Sequence, residues 1–229
     1  MKRLSILLTL AFVAVATSVS AKGDLFSGEG YSRTYVSFSE VSLNWAKGQD
    51  ANEVLYPFDS NITLGRLKSG KLFAALPLHI EYGLNLQYMY GDESTSILGV
   101  ETDYKAYTLS VNAPIHASLN LALGKVALTP YAGVNLRYNI LGVQTTATEV
   151  GSTTTNTELR LFDSSDEKGA AGKDAWERFQ AGLSYGVSLT TGPVTLGAGI
   201  LTDLMPLVDR GEDNSATLSM KTISLGYSF

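Results

Sequence analysis

The chain has 229 residues, a formal net charge of −5, no cysteine and only 17% charged residues. Its length allows one large β domain or two small ones. The missing cysteines exclude disulfides and a cysteine-linked lipid anchor, and the mild acidity argues against nucleic acid, which needs a basic face.

Residues 1–21 begin with Lys2 and Arg3, continue through the apolar run LSILLTLAFVAVA and end on the small residues Val19, Ser20 and Ala21. That layout predicts a signal peptide, with an uncleaved anchor as the alternative. Residues 22–229 then form a single domain, and no later stretch reaches the roughly 20 apolar residues of a membrane helix.

From residue 31 onward the dominant pattern has period 2, the mark of half-buried strands. Residues 31–45, YSRTYVSFSEVSLNW, predict a first strand whose parity slips near Ser39-Glu40, as at a bulge. SNITLGRLK, 60–68, is a short, weak second strand. In 77–91 the even positions from Leu78 to Tyr90 are apolar, while His79, Glu81, Gly83, Asn85, Gln87 and Met89 take the other face. In 104–123 the apolar row is odd, from Tyr107 to Leu121, opposite Thr108, Ser110, Asn112, Pro114, His116, Ser118 and Asn120.

The segment 125–141 alternates Val126, Leu128, Val134, Leu136 and Tyr138 against Thr129, Tyr131, Asn135, Arg137 and Asn139. Strands over 178–190, 194–202 and 217–229 bring the expected total to eight. The tight connections hold Gly124 and Gly192; the longer ones are 46–59, 91–102, 142–177 and 203–215.

Alternation alone does not say whether the apolar rows face a core or lipid. Three features point to lipid. The polar rows hold Ser, Asn, Thr and Gln rather than the charges of a water-facing sheet, which suits the cramped bore of an eight-stranded barrel. The apolar rows avoid charge, with Lys105 and Lys221 near the long-loop end, where they can snorkel. Aromatics fall at two levels: Tyr88, Tyr90, Tyr107, Tyr138 and Phe179 toward the long loops, and Tyr227 and Phe229 at the opposite end, as membrane interfaces select. Lipid forbids an open sheet edge, so the last strand must close on the first. The expected fold is all-β: an eight-stranded antiparallel up-and-down transmembrane β-barrel.

The terminal alternation TISLGYSF, with KVALTPYAGVNLRYN and FQAGLSYGVSLTTGPVTLGAGI, resembles the small Gram-negative outer-membrane β-barrels of the OmpA/OmpX and PorT-like type over about 31–229. The resemblance implies a porin-like outer-membrane location in the cell envelope and contact with outer-membrane lipid. It also implies that the C-terminal strand, ending in Tyr227 and Phe229, is read by the barrel-assembly machinery. A place as an accessory component of a secretion or assembly machine is an alternative it raises.

His79, Glu81 and His116 form the one cluster with chemical interest. A hairpin between their strands would set His79 opposite His116, and two imidazoles with a carboxylate could bind metal or move protons. A hydrogen-bonded plug satisfying buried polar groups is the plainer expectation. Arg137, Arg178 and Asp203 lie nearer the long loops and predict an ion-pair network rather than a ligand clamp. Asp163, Asp166 and Glu167 read as a solvated acidic loop rather than a cation site. A lipid-processing barrel enzyme would need a Ser/His pair on its lipid face, yet both histidines fall on the polar rows. No nucleophile motif, metal spacing or phosphate loop is present, so the sequence implies no catalytic residue, no metal and no cofactor. The expected role is non-enzymatic: a structural or surface-interaction protein that meets an extracellular protein or surface ligand through its loops, 46–59 and 142–177 above all. A soluble ligand-binding barrel is a further alternative.

Overall fold

A computed structural model describes residues 30–46, 57–73, 76–97, 99–172, 175–209 and 215–229. The predicted signal peptide and residues 47–56 of the expected 46–59 loop lie outside the described residues. The strands are β1 (Ser32–Trp45), β2 (Ser60–Lys71), β3 (Leu78–Ile97), β4 (Val100–Leu119), β5 (Leu121–Leu123), β6 (Val126–Val150), β7 (Thr153–Arg160), β8 (Phe179–Thr191), β9 (Val194–Asp203), β10 (Val208–Asp209) and β11 (Ser215–Ser228). Eight of them form a ring in the order β1-β2-β3-β4-β6-β8-β9-β11, and β11 pairs antiparallel with β1 from Arg33↔Ser228 to Trp45↔Ala216. Closure leaves no open edge around the ring.

The outward rows are the apolar ones that the alternation marks. On β8, Phe179, Leu183, Tyr185, Val187 and Leu189 are exposed while Gln180, Ser184 and Ser188 are buried. On β11, Ile223, Leu225 and Tyr227 are more than half exposed. A soluble barrel would bury these rows. Here they form a continuous apolar exterior around small polar groups, the inside-out arrangement of a barrel in lipid. Accordingly, Val134→Arg on the outer row of β6 is expected to cost about 2–4 kcal/mol of unfolding free energy in bilayers. Urea titration in vesicles measures it; a cost near zero would mean that this face is not against hydrocarbon.

Three expectations are corrected. The first strand has no slip: its pairing to β11 is continuous, and Arg33, Ser37, Ser39, Val41, Leu43 and Trp45 are all buried at odd positions. The chain keeps its parity while the inward row changes from polar to apolar. Irregular pairing occurs instead between β4 and β6, where the register shifts at Leu109/Ser110 and both Ile140 and Leu141 are exposed. Second, the interior is not polar throughout. Toward the long-loop end, Val41, Leu43, Trp45, Met89, Leu218 and Met220 from the ring strands pack with Leu161, Phe162, Trp176, Leu207 and Val208 from the connections. Leu207 and Leu218 are 0% exposed. Gly142 leaves the space that Phe162 occupies: a Cβ there would lie 2.8 Å from the ring's Cδ2. The barrel is thus stratified, with a polar layer nearer the short turns and a dry apolar plug above it.

Third, 91–102 and the first half of 142–177 are strand rather than loop. β3 and β4 stay paired to Ile97↔Val100, where Gly99 takes φ +81°. β6 continues to Val150, and β7 returns along it from Val150↔Thr153 to Val143↔Arg160. Together β3, β4, β6 and β7 extend as a four-stranded sheet beyond the ring.

Candidate functional site

Two places could carry function: the polar layer of the bore and the projecting sheet. In the bore the hairpin register decides the geometry. Ile97↔Val100 at the far turn fixes every pair down β3 and β4, so Glu81 faces His116, and His79 faces Ser118. The two histidines are therefore not opposed, contrary to the expected pairing. His79 Nδ1 lies 3.0 Å from Ser69 Oγ, and His116 Nε2 lies 2.7 Å from Ser184 Oγ. Tyr131 stacks on His116 with ring centroids 4.9 Å apart.

Glu81, 1% exposed, accepts a hydrogen bond from the Tyr31 hydroxyl and faces the Arg33 guanidinium at 3.6 Å. Arg33 is the interior residue that sequence reasoning passed over. Its odd position in the first strand places it inward, and a parity reading unbroken from Tyr31 onward would have found it. Arg33 Nη1 also lies 3.5 Å from Ser188 Oγ.

Ser184, His116 and Glu81 superficially resemble a nucleophile, base and acid. The links are incomplete. Ser184 Oγ also accepts from Asn135 Nδ2, His116 Nδ1 has no hydrogen-bond partner among the described residues, and the carboxylate of Glu81 is engaged by Tyr31 and Arg33. A triad requires the acid to orient the base. Both histidines are 7% exposed and face the bore, so no histidine lies on the lipid surface, where a lipid-processing pair would have to be. The adjoining cavity, about 90 Å³, suits a few water molecules rather than a drug-sized ligand. Among the described residues no group of three or more His, Cys, Asp or Glu could hold a metal ion.

Between the polar layer and the plug, Arg137 donates to Asp203, with both side chains 2% exposed. Arg178 takes no part in that ion pair. Its Nη1 donates to the carbonyls of Asn139 and Ile140 at 3.2 and 3.0 Å, and its Nη2 to that of Phe162 at 2.8 Å. It is a clip between β6 and the plug segment. Asp163 and Glu167 lie 2.9 and 3.3 Å from Arg160, so these loop acids have a cation already. The backbone N–H of Ser165 donates to Asp163 at 3.0 Å, and with Arg160 it holds that carboxyl below its usual range.

The aromatics singled out in the sequence are on the outer face. Tyr88 stacks with Tyr90 at 5.8 Å and meets Tyr107 at 6.2 Å. Tyr138 and Phe179 are cross-strand partners, about half exposed. Tyr227 and Phe229, 56% and 66% exposed, lie at the other end of the ring.

The projecting sheet differs in character. Its strands carry Asp92, Glu93, Glu101, Asp103, Glu149 and Glu158 against Lys105 and Arg160. β7, TTTNTELR, is exposed from Thr153 to Glu158; it pairs with β6 along its length, and on its other side only Arg160, at its end, bridges to Ala170 among the described residues. Over those residues its other edge presents unpaired backbone groups among the described residues.

The ring closure and the outward apolar rows decide the class. The chain is a closed eight-stranded barrel of the outer-membrane type. No protein-family model matches the sequence, and no match was found among curated proteins. Solved structures with a similar course include the outer membrane protein Ail, the attachment invasion locus protein of Yersinia pestis, at 11% identity over 88% of this chain and 100% of that one, TM-score 0.35. Neisserial surface protein A matches at 12% over 87% and 97%, TM-score 0.40. A major outer membrane protein from Thermus thermophilus matches at 10% over 88% and 100%, TM-score 0.40. At these values nothing is transferred from them, and the assignment of this barrel rests on its own geometry.

Proposed function

We propose that the protein is a non-enzymatic outer-membrane barrel that binds an extracellular protein through its projecting sheet. The observation that carries this reading is the free edge of β7. The exposed run from Thr153 to Glu158, Thr-rich and with acidic neighbours, offers a template for an added strand. A partner segment would gain main-chain hydrogen bonds along that edge, with basic side chains complementing the acids. The stratified bore supports the same reading, because a dry plug above an ion-paired layer favours a scaffold over a solute path. Barrel-assembly machinery reads β11 as the closing strand, and lipid covers the outer rows.

A photo-crosslinking residue at Asn156, in the native envelope, tests the proposal. A discrete protein adduct is expected, and a Thr154→Pro/Glu158→Pro chain should lose it: these residues have the parity of Arg160, whose backbone N–H and C=O face away from β6, so proline there removes free-edge donors without removing a β6 hydrogen bond. Adducts with lipid alone, or none, would refute the reading.

A further inference from the structure

We propose that Arg66 and Lys68 on β2 form a binding site for the phosphate of a phospholipid in the leaflet at the short-turn end, the periplasmic leaflet in barrels of this class. The outward row of β2 reads Ile62, Leu64, Arg66, Lys68. It begins as an ordinary lipid-facing row and ends in two cations, which is why the sequence looks weak as a strand. Both are half-buried on the outer face, and neither has a carboxylate partner among the described residues. Unpaired cations on a lipid face are costly near the midplane and tolerated at an interface. An anionic ligand there turns the cost into binding.

The Arg66 side chain is held in place for this. Its Nε donates to Ser32 Oγ at 3.1 Å, and its guanidinium carbon lies 5.0 Å from the centroid of the Phe229 ring. Phe229 is itself tied to β1: its N–H donates to the Ser32 carbonyl at 3.0 Å. The side chain therefore runs from β2 across β1 to the rim of the barrel, carrying its charge away from the apolar belt. The Nη atoms remain available for a two-pronged contact with phosphate oxygens, the geometry that arginine favours. Lys68 is the cross-strand partner of both Ser32 and Tyr82, which places a second cation beside the first with an aromatic ring at its flank. One phosphate with two acyl chains fits this arrangement: the headgroup meets the cations, and the chains run up past Leu64 and Ile62.

The test uses the full-length barrel in nanodiscs of phosphatidylcholine containing phosphatidylglycerol, released into mild detergent and weighed by native mass spectrometry. The wild-type chain should keep a bound phosphatidylglycerol. Arg66→Gln/Lys68→Gln should keep it about thirtyfold less, given about 1 kcal/mol for each of the two basic residues near an anionic surface. Lys105→Gln, at the far end, should match wild type. Lys68→Gln alone leaves the contact of Arg66 with Ser32 and Phe229 intact, so a several-fold loss is readable even if the double variant does not fold. Equal retention by wild type and variants, or equal retention by wild type of diacylglycerol from discs in which it replaces the phosphatidylglycerol, would overturn the site. The outcome is independent of any partner at β7.

Discussion

Leu218→Asp is expected to cost more than about 4 kcal/mol of unfolding free energy and to prevent most of the chain from reaching the heat-modifiable folded form. Leu218→Ala should cost about 2–5 kcal/mol, the range for a large-to-small change in a packed core. Leu218 points into the bore and is 0% exposed, surrounded by residues of the apolar plug such as Leu207, Trp176 and Met220. If that end of the barrel were a wet lumen, the alanine would leave no dry cavity and the carboxylate would stay hydrated. Urea titration of the folded barrel in detergent separates the cases. Costs below about 1 kcal/mol for both substitutions would show that the plug does not form.

The second large effect belongs to the ion pair beneath the plug. Asp203→Leu leaves the Arg137 guanidinium buried with no opposite charge, and its Nε and Nη1 already lack partners among the described residues. The expected cost is about 3–5 kcal/mol. Arg137→Met/Asp203→Leu should recover most of it, because two apolar side chains of similar size extend the plug downward instead of stranding a charge. The same titration on wild type, both single variants and the double variant closes a cycle. Additive losses would mean that the two side chains do not depend on one another.

These effects depend on height within the bore, which a one-dimensional pattern records poorly. In β1, SFSEVSLNW looks like a broken alternation because Ser37 and Ser39 share a face with Val41, Leu43 and Trp45. The face does not change; its surroundings do. Low in the ring, inward groups meet Glu81, Arg33 and the amides of neighbouring strands. High in the ring, they meet Phe162 and Trp176, delivered by a connection more than a hundred residues away in sequence. A strand therefore switches from polar to apolar on one side without any bulge.

The cluster of His79, Glu81 and His116 shows a second limit. Parity correctly places all three inward. Which of them meet depends on the turn at Ile97↔Val100, beyond the apparent strands, and a displacement of two residues keeps every side chain on its face while exchanging its partner. Thus His116 meets Ser184 and Tyr131, His79 meets Ser69, and Glu81 is held by Tyr31 and Arg33. The Thr-rich 142–177 stretch shows a third. Its composition reads as loop, but its first part, to Val150, finds β4 on one side and β7 on the other, and pairing overrides the weak propensity.

By itself, then, the sequence determined eight alternating strands, the outward apolar rows of the strands after the first, and that the final strand must pair with the first. Those are consequences of period 2, strand length and the need to satisfy backbone groups in lipid, all of them local or global rules without reference to particular contacts. Tertiary structure alone decided the strand register, the dry layer over the polar one, the free edge of β7 and the meeting of Arg66 with Ser32 and Phe229. Each of these needs two distant segments brought to one height around the ring, and that depends on turn geometry and closure rather than on any segment read singly.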